Sequence, residues 1–545
     1  VSGSSTERGA AAAQTPGATT VERRLVRGEP GEGGWAPVVA THGDPYVGAP
    51  PHPQGRTLAA FAHLSDLHLC DAESPARQEH LDHHGDPGAP YAGRLGIIGT
   101  YRPQEILTVQ VAARALHALH RVDRAPVTGR PLDAVLVTGD VTDNAQRNEL
   151  TWYDALMSGW TVSPRSGDER RSSWVGALTA GHWSTHVWHP DGAPAGEPTD
   201  RPTALFGYPR VPGLVEAARA DLVSPGSPLP WHTVHGNHDA LLQGTVAPDE
   251  ALRARATGAA RVVDLAPGQT PLVVLEAVAP LGPARYTDTP DSPTVPVPAD
   301  PDRVFVEDGE FTARLRDPRD DDPRAGAVVA RHGDAWARDV GEVRVIALDT
   351  VNPHGGWQGS VDDAQLTWLD EQLTAARGRY VIVTSHHPSW TLTNLYAPDG
   401  APARHGAEAV LALLLRHPGV VAWCAGHVHA HSALRHTAPG PRGERGEGLW
   451  EITTASLVDW PQQLRVLELV REPGGTIALV GTVVDHDAPT TWDLCALDDT
   501  AQLGAISRAL AVNDYRARRD PVRPALAAGR DGDRNAVWRL PDPHR

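Results

Sequence analysis

Not one lysine occurs among the 545 residues, so all 49 basic side chains are arginine, against 67 acidic ones, for a formal charge of −18. An acidic chain without a basic block is a poor general binder of nucleic acid. Cysteine is scarce: Cys70, Cys424 and Cys495 stand far apart and are odd in number, which excludes a disulfide framework and a thiolate zinc site. No run of ~18 apolar residues occurs, so no membrane-spanning segment is expected. No charged stretch leads into an apolar one near the start, so no signal peptide is visible. The 53 glycines and 49 prolines, beside abundant alanine and arginine, read as the codon bias of a GC-rich genome, not as a functional signal. Apolar residues at 40% can build a sizeable core, so wholesale disorder is excluded.

Length alone gives three or four domains at ~150 residues each, but the pattern points to one elaborated α/β unit. Residues 1–20 are small and polar and read as a disordered tail, and 21–56 as an N-terminal extension. Short apolar runs at 57–64, 132–138, 231–235, 342–348, 380–385 and 420–425 read as strands, followed by closing strands at 449–454, 464–470 and 477–484. Helical spacing occupies 103–123, with Pro103 placed for a first turn, and also 145–157, 361–377 and 501–510. Strands alternating with helices indicate an α/β domain over 57–490. Two stretches rich in Pro, Gly, Ser, Asp and Arg, about 158–230 and 245–340, read as insertions on its loops that could cover a site as a lid. Residues 491–545 read as a C-terminal extension ending in a polar, Arg/Asp-rich tail.

Polar residues gather where the strands stop. They are Ser65-Asp66-Leu67-His68, Gly139-Asp140-Val141-Thr142-Asp143, Gly236-Asn237-His238-Asp239, His386-His387-Pro388 and Gly426-His427-Val428-His429. In open α/β sheets ligands bind beyond the carboxyl ends of the strands. Asp66, His68, Asp140, Asn237, His386, His427 and His429 offer only oxygen and imidazole nitrogen, a donor set for Mn, Fe, Zn, Ni or Co. Seven donors are too many for one zinc but suffice for two ions sharing a carboxylate. Two ions ~3.5–4 Å apart clamp the attacking and leaving oxygens of an in-line displacement. The glycines before Asp140, Asn237 and His427 allow sharp turns.

These five motifs, in this order and each after an expected strand, resemble those of the calcineurin-like metallophosphoesterase superfamily. More narrowly, Tyr101-Arg102-Pro103-Gln104-Glu105 and the segment from Leu449-Trp450-Glu451-Ile452 to Asp459-Trp460-Pro461-Gln462-Gln463 resemble a long-insert bacterial subgroup, whose members often carry twin-arginine export signals. The resemblance implies two packed mixed β-sheets flanked by helices. It also implies two divalent or trivalent transition-metal ions, such as Mn, Fe or Zn. Asp66, His68 and His429 would bind one ion, Asn237, His386 and His427 the other, and Asp140 would bridge them. His238 would face the substrate phosphate and protonate the leaving oxygen, with Asp239 orienting its ring. Asp143 would orient a ligand, and His387 sits beside one. The implied reaction is direct hydrolysis, with metal-bound hydroxide attacking phosphorus in line and no phosphoenzyme.

Departures from better-known branches narrow the expectation. Asp143 stands where purple acid phosphatases place tyrosine, and no Asp-Arg-Gly follows Asp140 as in phosphoprotein phosphatases. The 5′-nucleotidase branch has Glu where this chain has Asp239. The pattern is similar to that of simpler bacterial phosphodiesterases, so a small phosphodiester is the expected substrate. The alternatives are a phosphomonoesterase, a metal-binding scaffold that has no activity, and, against the charge, a nuclease.

Other conspicuous residues read as ordinary. His63, His80, His83, His84, His117, His120 and His182 are taken as surface or core histidines; His83-His84 near Asp82 tempts towards a metal site, but no strand end supports it. Trp152, Trp160, Trp174, Trp183 and Trp188 read mainly as packing, and Cys424 as an inert core residue. Residues 352–356, after a strand end at Asp349, are either a site-lining loop or a simple turn. Arg102 and Arg404 are candidates to reach a phosphate oxygen. Oligomeric state and compartment are not set by these features.

Overall fold

The computed structural model describes residues 19–86, 88–95, 101–277, 285, 287–307, 309–315, 326–516 and 523–545. The expected N-terminal tail lies outside them, apart from Thr19 and Thr20. Two mixed β-sheets pack face to face. The first runs Ala536–Pro541, Thr476–Asp485, Gln463–Glu472, Arg56–Leu64, Ala134–Val137, Trp231–Thr233, and its last three strands are parallel. The second runs Ala327–His332, Ala335–Val340, Val343–Leu348, Tyr380–Ser385, Val420–Ala425, Gly448–Thr453, Ser432–Thr437, with four consecutive parallel strands at its centre.

Side chains alternate across each strand, and the alternation sorts the core into layers. Phe61, Ala134, Leu136, Val343, Val345, Tyr380, Ile382 and Cys424 meet between the sheets. The other faces of the same strands carry Ala62, Leu64, Val135 and Val137, covered by helices Thr108–Arg121 and Arg147–Ser158. On the second sheet Ile346, Leu348, Val381 and Trp423 lie under helices Asp363–Ala375 and Ala407–Arg416. Strands buried on both faces explain why the parallel segments are unbroken apolar runs.

Three features depart from the expectation. Helix Thr108–Arg121 begins five residues beyond Pro103, because Glu105–Leu107 first forms a 3-10 turn. The second insertion yields a hairpin, Ala327–His332 with Ala335–Val340, that extends the second sheet. The C-terminal extension forms the expected helix, Thr500–Asn513, packed on Thr108–Arg121, but the end read as a polar tail supplies strand Ala536–Pro541, which completes the first sheet. Trp538 and Leu540 from that strand enter the inter-sheet core. Among the described residues no helix is long and apolar enough to cross a membrane.

Candidate metal centre

The parallel strands of both sheets end at one rim, and the loops leaving them are bent sharply. Asp66, His68, Asp140, His427 and His429 all have left-handed backbones, with φ of 51°, 45°, 51°, 67° and 52°. Non-glycine residues adopt this conformation at a cost of about 1–3 kcal/mol each, and such residues cluster at functional sites. The bends turn five side chains inward. Gly236 serves a different purpose from the expected turn: its φ is −111°, but a Cβ there would stand 2.3 Å from the Asp140 nitrogen.

Six of the seven expected ligands, Asp66, His68, Asp140, His386, His427 and His429, converge, and Asn237 follows Gly236, which packs against Asp140. Donor atoms of Asp66, His68 and His429 lie within 4.8 Å of one another, as do those of Asp66, Asp140 and His386. Nε2 of His68 is 3.1 Å from Nε2 of His429, and Nε2 of His386 is 3.2 Å from Nδ1 of His427. Asp140 stands between the two imidazole pairs, 3.6 Å from His68 Nε2 and 3.1 Å from His386 Nε2. Asn237 donates from Nδ2 to the Gly244 carbonyl at 2.9 Å, while its Oδ1 is buried without a hydrogen-bond partner. An orphaned buried carbonyl costs about 1–3 kcal/mol. A carbonyl oxygen of this kind is a donor that a hard or borderline cation takes.

Partners behind the ring nitrogens fix their orientation, as metal-ligating histidines require. His68 Nδ1 pairs with Asp143 at 3.0 Å, His386 Nδ1 with the Thr138 carbonyl at 2.7 Å, and His429 Nδ1 with Asp459 at 2.7 Å. Asp143 is held in turn by Arg77, a buried guanidinium that also pairs with Glu79 and Glu105. Burial opposes charge throughout. Even so, His429 and His386 hold the Asp66 carboxyl below its ordinary range, and His386 and His238 hold Asp140 well below it. Against the same burial, Asp140 holds His386 up at about 9, and Asp66 with Asp459 holds His429 up at about 9. His427 is pushed far down by burial and by His387 and His386.

His238 lines a cavity of about 640 Å³ together with His429, Arg102 and Trp390. Its Nδ1 sits 2.8 Å from the Asp143 carbonyl, which requires the proton on Nδ1 and leaves Nε2 as the reactive nitrogen. Burial pushes the ring down to about 4, so it is neutral near pH 7. Gly244 (φ +68°) makes room for it, since a Cβ would fall 2.4 Å from His238 Nε2.

Asp239 does not orient this ring. Its carboxylate accepts the backbone N–H of Asp140, Val141, Thr142 and Gly236, each at 2.9 Å, and the Thr142 hydroxyl at 3.0 Å. It clamps the bent turn that presents Asp140. His387 is also committed elsewhere, to Thr350 Oγ1 at 2.8 Å and the Trp357 carbonyl at 3.1 Å.

Arg404 donates to Ser360 and to the Val351 carbonyl, bracing a loop. Trp174 and Trp188 are core residues, and the aromatics at the cleft are others. Trp357, which follows the 352–356 loop, stacks near His427 at 5.8 Å, while Trp390 and Trp460 line the cavity. No described residue of 158–230 or 245–340 lines that cavity; its cover comes from the C-terminal segment, through Val512, Arg516 and Leu526. Nothing in the sequence gives Asp459 a role of its own, although it lies in one of the two segments, 101–105 and 449–463, that resemble the long-insert subgroup. The two segments touch: Arg102 Nε donates to Asp459 at 2.9 Å and Gln104 to the Val458 carbonyl at 3.2 Å.

Residues 213–431 match the family model of the calcineurin-like phosphoesterases. No curated protein matches the chain in sequence. Among solved structures it is similar to a dimetal phosphatase from Danio rerio, at 14% identity, covering 79% of this chain and 100% of that one with a TM-score of 0.32. It is also similar to PhoD, at 10% identity, covering 89% and 81% with a TM-score of 0.29. The matched stretch contains Asn237, His386, His427 and His429.

Proposed function

We propose that the chain is a dinuclear-metal-dependent hydrolase of phosphodiesters. One observation carries the reading: Asp140 stands between two pairs of facing imidazoles, His68 with His429 and His386 with His427, while Asn237 Oδ1 is buried without a partner. Asp66, His68 and His429 would hold one ion, Asn237, His386 and His427 the second, and Asp140 both. When bound, such ions polarise phosphoryl oxygens and bring the pKa of a coordinated water down to about 7.

The chain's own groups do the rest. The left-handed bends at Asp66, Asp140 and His427 aim ligands from both sheets at one point, which sets the orientation before substrate arrives. His238 exchanges a proton with a substrate oxygen at Nε2, since Nδ1 is committed to the Asp143 carbonyl. The cavity beside His238 has room and aromatic walls, Tyr101, Trp390 and Trp460, for an organic group beyond the phosphate, which favours a diester. The likeness of residues 101–105 and 459–463 to the long-insert bacterial subgroup supports the same reaction class.

The test is hydrolysis of bis(p-nitrophenyl) phosphate beside p-nitrophenyl phosphate after manganese loading, with Asp140→Ala as control. Faster diester cleavage that Asp140→Ala abolishes is expected. A preference for the monoester overturns the diesterase assignment. Turnover that survives Asp140→Ala or chelation overturns the metal-dependent mechanism.

A further inference from the structure

A second group of imidazoles shares no residue with the expected ligands of the cleft. The 3-10 helix Glu79–Gly85 carries His80, His83 and His84. The His83 and His84 rings are 3.9 Å apart, and the ring of His186, from the first insertion, is 4.8 Å from His83. Asp264, from the second insertion, completes the group: its carboxylate and one nitrogen each of His83 and His84 lie within 4.8 Å of one another.

Hydrogen bonding does not account for His80 and His84. His84 Nε2 is buried without a hydrogen-bond partner, 3.9 Å from Asp264 Oδ1. His80 is 8% exposed and both its ring nitrogens lack hydrogen bonds; Asp288 Oδ1 stands 3.7 Å from its Nε2. His186 Nδ1 pairs with Asp86 at 3.2 Å and lies 3.4 Å from Arg201 Nη1, and an imidazole held through Nδ1 has Nε2 left to offer a metal. His80, His83, His186 and Asp264 line one cavity of about 580 Å³. Buried polar groups left unpaired in this number call for an ion or a water.

We propose that His83, His84, His186 and Asp264 form a second, structural binding site for a zinc-class transition-metal cation. Three imidazoles and one carboxylate suit Zn²⁺, Co²⁺ or Ni²⁺, and four protein ligands leave no open position for catalysis. The ion fastens three segments far apart in sequence: the turn at 79–86, the first insertion at His186 and the second at Asp264. The turn also carries Glu79, which pairs with Arg77, the residue that grips Asp143 behind His68. The metal therefore braces the scaffold of the cleft without sharing a ligand with it.

The test is zinc content per chain after chelator treatment and dialysis against low free Zn²⁺, for the wild type, His83→Ala/His84→Ala and Asp140→Ala. The double variant is expected to hold one zinc fewer than the wild type, to keep its phosphoester hydrolysis and to melt at a lower temperature. Asp140→Ala reports on the catalytic pair separately, so failure of either assignment is recognised by itself. Equal zinc in the wild type and the double variant overturns the second site. Should the double variant not fold, zinc-edge anomalous diffraction from wild-type crystals decides. A peak about 2.0–2.3 Å from nitrogens of His83 and His84 supports the site, and no peak there overturns it.

Discussion

Replacing Asp239 with asparagine separates a structural role from a catalytic one. Oδ2 of Asp239 takes the N–H groups of Asp140 and Gly236, and Oδ1 takes those of Val141 and Thr142 and the Thr142 hydroxyl. Burial and the neighbouring Asp140 push the carboxyl up to about 6, so it is still ionised and acceptor-only near neutral pH. An amide has one acceptor oxygen. In Asp239→Asn, either orientation of the amide therefore turns its NH₂ group against two backbone N–H donors. Losing two charge-assisted bonds at about 1.5–3 kcal/mol each gives a destabilisation of about 3–6 kcal/mol. That is a large share of a typical stability of about 5–15 kcal/mol. Urea unfolding followed by tryptophan fluorescence, on protein stripped of metal, measures it directly. Asp239→Asn with stability within about 0.5 kcal/mol of the wild type and turnover down about a hundredfold would refute this reasoning and return Asp239 to catalysis.

Other perturbations have equally definite outcomes. Asp459→Ala frees His429 Nδ1, and a titration should show metal affinity about 10- to 100-fold weaker with the fold retained; unchanged affinity would deny Asp459 its orienting role. His235, opposed by burial, is held up at about 10 by Asp349 at 3.4 Å, with Asp334 at 3.9 Å. Because its folded pKa is raised, the pair's stabilisation is complete below about 6.5 and is lost as pH rises through about 10. Asp349→Asn should therefore cost about 1.5 kcal/mol near pH 7 and nothing above pH 10 or so, as seen in melting temperatures across that window; a pH-independent difference would contradict the pairing. Trp390→Ala should raise KM for an aryl diester about 2- to 10-fold while sparing methyl p-nitrophenyl phosphate, and an equal effect on both would remove Trp390 from the substrate cavity.

The sequence made the site more legible than its surroundings, for a physical reason. Side chains that gather at one rim, and the glycines around them, must sit at fixed places after strands, so Asp66, Asp140, Asn237, His386 and His427 leave a local signature. Strands buried on both faces leave another: residues 380–385 and 420–425 are unbroken apolar runs and match the observed strands at both ends. Edge strands leave much less. Ala327–His332 is largely exposed, and Ala536–Pro541 carries Arg539 and Pro541 among its apolar residues, so neither reads as a strand. Long-range contacts leave no local trace at all. Nothing around Asp459 in sequence says that it grips His429, or around Asp264 that it meets His83 and His84. Proximity in sequence does not make contact: in the tight 3-10 turn Asn237–Asp239, the Asp239 carboxylate takes the N–H groups of Asp140 and Val141 while the His238 ring pairs with the Asp143 carbonyl.

The central claim is that one carboxylate, Asp140, organises a two-ion centre from ligands on both sheets. Counting bound manganese per chain in His83→Ala/His84→Ala, with and without Asp140→Ala added, tests it most directly, because the second imidazole cluster is then removed from the count. The account predicts two ions with Asp140 present and their loss without it. Two ions retained in the absence of Asp140 would contradict it.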